Sequence, residues 1–482
     1  MSPPPRAVAP QVQHASAGHV GADTVGEVDY AAMTSQADPS RRRFIGALTS
    51  GATLAATGGL EALTRAQVEP APRQDAPAND RVQFALIGAG IQGVGDTATA
   101  LRVPGVELVA VSDLYTGRLD KAKERWGQQL FTTRDYREVL ARPDVDAVII
   151  ATPDHWHRQM AVDALEAKKA VYLEKPMVQS LGEGEAIIAA QRRAGVVLQV
   201  GSQGMSSLGN EKARELLAAG AIGTLNYVEG YWARNSPTGA WQYPIPRDAS
   251  PETVDWDRFI GSAPKREFDP VRFFRWRNYR DYGTGVTGDL FVHLFSSLHF
   301  ITGSLGPTSV MSTGGLRFWT DGRDAADVML GMFDYPQSPA HPAFNLSLRV
   351  NFADGTAGST VLRLVGNEGA MDVEWERVVL RRNKSWDPSR ALQPDFRHEP
   401  EPPPVREMRE QLDATTFVAA RDYQGAHYDH FANFFAAVRD AKPVVEDAVF
   451  GYRAAAPALA CNLSYYEKRA IAWDPVAMKV VK

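Results

Sequence analysis

Between Arg81 and Gln203 the chain alternates short apolar runs with amphipathic stretches. Val82–Ile87, Val106–Ser112, Val145–Ala151, Ala170–Leu173 and Val196–Val200 read as strands. Helical periodicity fills the gaps at Thr116–Gly127, Tyr136–Leu140, Arg158–Ala167 and Gly182–Ala194. Apolar strands separated by helices predict a parallel sheet covered on both faces. Past Gln203 the rhythm changes. A helical stretch, Asn210–Ala219, precedes strand-like runs at Thr224–Ala233, Val310–Ser312, Asp327–Phe333, Phe344–Phe352, Gly358–Val365, Met371–Val373 and Val378–Arg381. Strands without intervening helices predict a mostly antiparallel sheet. Trp386–Pro404 is proline-rich and polar and reads as a surface loop, and Tyr428–Val438 and Tyr452–Tyr465 read as closing helices.

The turn after the first strand carries chemistry. Gly88-Ala89-Gly90-Ile91-Gln92-Gly93 ends that strand and opens a helix, and Asp113 follows twenty residues past the last glycine, at the end of the second strand. Gly88 permits the tight turn, Gly90 lets backbone approach a pyrophosphate, and Gly93 allows close helix–strand packing. The helix turns its free N–H groups and positive dipole end toward the phosphates. Asp113 can accept from the adenosine ribose, and its charge repels a 2′-phosphate, which favours NAD over NADP. Strand, glycine turn, helix and spaced acid together predict a Rossmann dinucleotide-binding domain over residues 81–203. Ligand then belongs at the carboxyl ends of the strands, where Thr152-Pro153-Asp154-His155 and Glu174-Lys175-Pro176 also lie. The predicted cofactor-binding set is Gly88, Gly90, Ile91, Gln92, Gly93, Asp113, Thr152, Pro153, His155, Glu174 and Lys175. The fold class is α/β, with residues 204–482 forming a C-terminal α+β domain around an open, mostly antiparallel sheet.

Ser40-Arg41-Arg42-Arg43-Phe44-Ile45-Gly46 matches the twin-arginine export pattern, and Phe44–Leu60 carries no charge. That stretch is too short and too weakly apolar for a comfortable span but suits a signal h-region. Residues 1–66 are therefore expected to be a signal region cleaved near Ala66, residues 67–80 a linker, and the destination the periplasm. Incidental arginines in a disordered tail are the alternative. The net charge of −5 gives no reason to expect nucleic acid or an anionic membrane as partner. One cysteine, Cys461, excludes an intramolecular disulfide. Asp154-His155-Trp156-His157 lacks Cys or Glu partners at zinc spacing and reads as a loop over the nucleotide, with no metal expected. Arg272–Tyr282 interleaves cations and aromatics, which suits a carbohydrate pocket or plain packing. His427 and His430 open an amphipathic helix and read as structural.

Asp289 and His293 stand four apart, so on a helix they share a face roughly 6 Å apart. A histidine can take a hydroxyl proton as hydride leaves the same carbon, and a neighbouring carboxylate can orient its ring. Lys175, at a strand end, can set a positive charge beside a developing alkoxide. Plainer roles exist for each: Asp289 as a helix N-cap, His293 as a satisfied core residue, Lys175 as a solvated charge.

The order of glycine loop, Thr152-Pro153, Glu174-Lys175-Pro176 and Asp289-Leu290-Phe291-Val292-His293 resembles the Gfo/Idh/MocA oxidoreductases, across essentially all of residues 81–482. The resemblance implies catalytic roles for Lys175, Asp289 and His293, a Lys–Pro bond that is often cis, and oligomerisation through the open sheet. It also implies NAD(P)-dependent oxidation or reduction of a secondary hydroxyl of a sugar, sugar derivative or cyclitol; some similar proteins use bound NAD transiently to cleave glycosides. Two positions depart from the pattern: Phe291 replaces a frequent glycine and must pack against the cleft wall or narrow the pocket, and Ser296 stands where many members have a second aspartate. Three classes of function follow. The first is an NAD(H)-dependent carbohydrate oxidoreductase that holds its cofactor through a redox-neutral cycle. The others are an NAD-dependent glycosidase and a non-catalytic NAD- or sugar-binding protein.

Overall fold

The computed structural model describes residues 81–356, 358–383 and 412–481. The expected signal region, the linker and the Trp386–Pro404 loop lie outside the described residues.

Six strands form the first sheet: β1 (Val82–Ile87), β2 (Val106–Ser112), β3 (Phe131–Thr133), β4 (Ala147–Ile150), β5 (Ala170–Glu174) and β6 (Leu198–Gly201). Their order is β3-β2-β1-β4-β5-β6 and every pairing is parallel. Helices α1 (Ile91–Ala100), α2 (Thr116–Trp126), α3 (Tyr136–Leu140), α4 (His157–Glu166) and α5 (Gly184–Ala194) make the crossovers. Every residue of β4 and β5 is buried, which is why both read as unbroken apolar runs. Strand order reverses between β1 and β4, and a crevice opens there at the carboxyl ends of the strands.

After α6 (Leu208–Ala218) the chain builds a ten-stranded sheet from β7 (Leu225–Ala233), β8 (Ser309–Gly315), β9 (Val328–Tyr335), β10 (Phe344–Asn351), β11 (Thr360–Gly366), β12 (Gly369–Val373), β13 (Arg377–Asn383), β14 (Leu412–Val418), β15 (Ile471–Asp474) and β16 (Lys479–Val480). The order is β14-β13-β12-β11-β7-β10-β9-β8-β15-β16. Only the central pair β7–β10 is parallel. Alternation sorts the strands' side chains by face. Met329, Phe333, Phe344, Leu346 and Leu348 share a core with Leu294, Phe295 and Leu298 of α7 (Val292–Thr302). On the opposite face Met311, Leu330 and Met332 remain exposed.

Two closing helices join the sheets. Phe431, Phe434 and Phe435 of α8 (Ala426–Asp440) enter the core of the first sheet, where Phe431 stacks on Tyr172 at 4.3 Å. Alanine-rich α9 (Ala448–Glu467) gives Tyr452 and Ala456 to that side and Ala454, Ala458 and Cys461 to the other. Residue 203 thus separates the two sheets without separating the two cores. Among the described residues no helix is long and apolar enough to cross a membrane.

Candidate active site

Each glycine of the β1–α1 turn meets a different constraint. Gly88 has φ +96°, and a Cβ there would lie 2.6 Å from the Ala151 carbonyl oxygen. A Cβ on Gly93 would lie 2.1 Å from the Gly88 carbonyl oxygen, so helix and strand are already in contact. A Cβ on Gly90 would meet no atom within 4 Å. The turn is therefore tight beneath and open above, at the N-terminus of α1, as a pyrophosphate requires. Ile91 is exposed beside that opening. The Thr152 hydroxyl, across at the end of β4, is buried with no hydrogen-bond partner. These residues fit a dinucleotide.

Asp113 also ties the cradle together. Its carboxylate accepts from the backbone N–H of Ala89 at 2.8 Å and of Tyr115 at 2.9 Å, and Arg118 lies 3.4 Å away. Gln92 and Glu174 work underneath. The Gln92 amide donates to Asp96 at 2.9 Å and to Glu174 at 3.4 Å, and Gln203 donates to Glu174 at 2.6 Å. Burial pushes Glu174 up to about 7 against the pull of Lys175. Both residues support the glycine turn through this buried network. His155 behaves differently: its Nε2 meets the Phe259 carbonyl at 2.8 Å, and its ring packs edge-on to Phe259 and tilted against Tyr282. Those contacts lock the loop beginning at Pro153 to the second domain. His157 is likewise engaged by the carbonyls of Pro176 and Thr152.

Lys175 ends β5, and the Lys175–Pro176 peptide is cis. Its Nζ donates to Asp289 Oδ1 at 2.9 Å and to the Asp289 carbonyl at 3.1 Å. That carbonyl belongs to a π-helical turn, Thr287–Phe291, leading into α7. Widened turns of this kind release backbone groups from the helical ladder and recur at functional sites. Arg277 Nε approaches the same carboxylate oxygen at 3.4 Å. Burial alone would raise the Asp289 carboxyl, but Lys175, Arg277 and Arg234 together hold it well below the usual carboxylate range.

The expected Asp289–His293 partnership is not what the structure shows. Asp289 spends its carboxylate on Lys175 and Arg277, and the first residues of α7 receive no side-chain cap. His293 instead lies against Trp232 of β7, with ring centres 5.2 Å apart, and 6.1 Å from Trp375. Its Nδ1 is buried without a hydrogen-bond partner. Burial, followed by the charge of Lys175, drives the imidazole well below its ordinary value and keeps it neutral. A neutral imidazole keeps one ring nitrogen free of a proton and can accept one there.

Phe291 is fully buried in the core of the second sheet and does not narrow the cleft. Ser296 does have an acid beside it: its hydroxyl donates to buried Glu446 at 3.3 Å, from the segment before α9. Most of Arg272–Tyr282 is packing, since Phe273, Phe274, Tyr279 and Tyr282 form a core with Tyr115, Trp256 and Phe259. Only Arg277 of that segment reaches Asp289. Trp232, Arg234 and Trp375 carried no sequence signal, because each is brought in by long-range pairing within the sheet. Asp154 was legible only as part of a loop. Its carboxyl accepts from the Thr284 N–H at 2.9 Å and hydroxyl at 2.7 Å, and burial raises it to about 7. His427 lies 5.6 Å from Trp375, the ring that also neighbours His293.

Fold and cradle define a Rossmann protein of the nicotinamide-dinucleotide type joined to an open-sheet domain. Residues 82–202 match the Gfo/Idh/MocA model, described as an oxidoreductase family with an NAD-binding Rossmann fold. Over 152 residues the chain is 34% identical to a scyllo-inositol 2-dehydrogenase (NAD(+)) of Bacillus subtilis, covering 31% of this chain and 44% of that one. A glycosyl hydrolase family 109 protein of Shewanella sp. (strain ANA-3) is 34% identical over 161 residues, covering 30% of this chain and 35% of that one. The match thus spans less than half the length of either relative. Among solved structures, a levoglucosan dehydrogenase in complex with NADH and levoglucosan shares the fold. Its TM-score is 0.61 at 16% identity, covering 81% of this chain and 99% of that chain.

Proposed function

We propose that the protein is an NAD-dependent oxidoreductase of the Gfo/Idh/MocA family, acting on a secondary hydroxyl of a sugar, sugar derivative or cyclitol. One observation carries this reading: Lys175 is anchored on Asp289 beside a neutral, unpartnered His293, at the carboxyl end of the NAD-binding sheet. Bound nicotinamide would supply the hydride acceptor and donor there. His293 takes the hydroxyl proton. Lys175 stabilises the developing alkoxide, and Asp289 holds the ammonium in place. Partly exposed Trp375, 6.1 Å from His293, offers an apolar face to a sugar ring.

The twin-arginine pattern at Ser40–Gly46 supports export to the periplasm after folding. An exported enzyme has no cytoplasmic partner to reoxidise its cofactor, so the cycle we propose is redox-neutral with the dinucleotide retained. A second copy of the chain is the proposed occupant of the open face of the large sheet. Met332 lies opposite Met311 and Leu330 opposite Thr313, in a patch that can pair with itself about a two-fold axis.

A second reading is favoured by the similarity to a glycosyl hydrolase family 109 protein: transient oxidation, elimination and re-reduction of one glycoside on retained NAD. Incubating the purified protein with glycosides and no added NAD separates the two. Release of free sugar over many turnovers supports glycoside cleavage, and oxidised or reduced sugar products with the glycosidic bond intact support the first reading.

A further inference from the structure

Of the cations around Asp289, Arg234 is the one whose guanidinium forms no ion pair among the described residues. Lys175 Nζ lies 2.9 Å and Arg277 Nε 3.4 Å from its carboxylate. Arg234 follows directly on β7, and its guanidinium carbon lies 5.9 Å from the centre of the Trp232 ring that flanks His293. Among the described residues the Arg234 side chain donates only to the Gly239 carbonyl, at 3.0 Å, and forms no ion pair. Arg277 engages Asp289 through Nε alone, and 23% of its side chain remains exposed. The other buried acids nearby are held elsewhere, Asp154 by two Thr284 donors and Glu174 by the amides of Gln203 and Gln92. No carboxylate thus forms an ion pair with Arg234, and Asp289 takes only the Nε edge of Arg277.

Unpaired buried charge is costly, and a guanidinium is best satisfied by a planar anion taken on two parallel N–H groups. Sugar hydroxyls alone would leave that charge uncompensated. We infer that the substrate is a sugar acid, whose carboxylate docks on Arg234 and Arg277 while a secondary hydroxyl faces His293 and Lys175. This rests on the oxidoreductase reading above and narrows it to one substrate class. Trp232, packed against both Arg234 and His293, fixes the spacing between the two ends of such a molecule.

The test is calorimetric binding to the full chain loaded with NADH, using acid and neutral sugars of matched stereochemistry. Suitable pairs are D-glucuronate with D-glucose, D-galacturonate with D-galactose, and D-mannuronate with D-mannose. The best acid should bind at least about tenfold more tightly than its neutral parent, the scale of one charge-assisted bidentate contact. Arg234→Gln should collapse that ratio toward one, and Arg234→Lys should retain part of it; unchanged nucleotide content shows that each variant is folded. Neutral sugars that bind and react better than their acids would overturn the sugar-acid inference and leave the oxidoreductase reading standing. An acid preference unaltered in Arg234→Gln would also overturn it. Failure of every sugar, acid and neutral, to bind would bring down both.

Discussion

Lys175 and Asp289 join the two sheets at the site, with Nζ 2.9 Å from Oδ1 and 3.1 Å from the Asp289 carbonyl. Side-chain exposures of 10% and 9% put this pair out of bulk water. Neither member is then a neutral probe of catalysis. Lys175→Met removes the nearest cation from a buried carboxylate and is expected to cost about 3 kcal/mol of stability. Adding Asp289→Leu should return much of that loss, giving a coupling energy above about 1.5 kcal/mol in a denaturant double-mutant cycle. Strictly additive single variants would contradict the pairing.

His293→Ala should lower turnover about 10²–10⁴-fold with nucleotide content unchanged. The imidazole must be neutral to accept a proton, and its pKa lies well below the ordinary 6.5, first through burial and then through Lys175. As pH falls, kcat/KM should therefore hold through the usual histidine range and drop only beneath it. Lys175→Met removes one depressing charge, so the acid limb of its residual activity should move upward. A wild-type limb at or above 6.5 would contradict this assignment.

Gly90 and Gly93 are predicted to fail in different ways. Gly90→Ala places a methyl in open space where the pyrophosphate belongs, so the variant should fold normally and lose its dinucleotide. Gly93→Ala drives a methyl against the Gly88 carbonyl and should fold poorly whether or not nucleotide is supplied. Thermal midpoints read beside nucleotide content distinguish the two; equal midpoints would contradict the packing role of Gly93.

The exposed sheet face gives a prediction about assembly. Met332 is 58% exposed and Leu330 44%, on adjacent turns of one strand face. Leu330→Lys with Met332→Lys should shift the mass in analytical ultracentrifugation to the monomer while dinucleotide binding persists. A wild type that is monomeric at every concentration would remove the basis for pairing.

Much of this architecture was legible because the constraints that set it are local. Buried parallel strands show as apolar runs, and the glycine turn carries its three demands within six residues. β3 escaped notice because three residues give no period. The π-helical turn at Thr287–Phe291 escaped because sequence spacing of four was read as one α-helical face. That reading brought Asp289 and His293 together but mistook the partner: the carboxylate is claimed by Lys175, 114 residues away in sequence. Arg234, Trp232 and Trp375 were invisible for the same reason, since only the folded sheet sets them around His293. The Ser296 position misled in another way, because the acid beside it comes from Glu446, 150 residues on.

The most direct measurement follows nicotinamide absorbance and product together, with substoichiometric full-length protein purified with its own dinucleotide and no NAD added. Sugars, sugar acids and glycosides are supplied singly and in pairs. The expected result is many turnovers of product with a transient reduced-nicotinamide signal and no net accumulation, all lost in His293→Ala. Steady accumulation of NADH strictly dependent on added NAD would contradict the redox-neutral cycle, and product formed without any change at the nicotinamide would contradict hydride chemistry altogether.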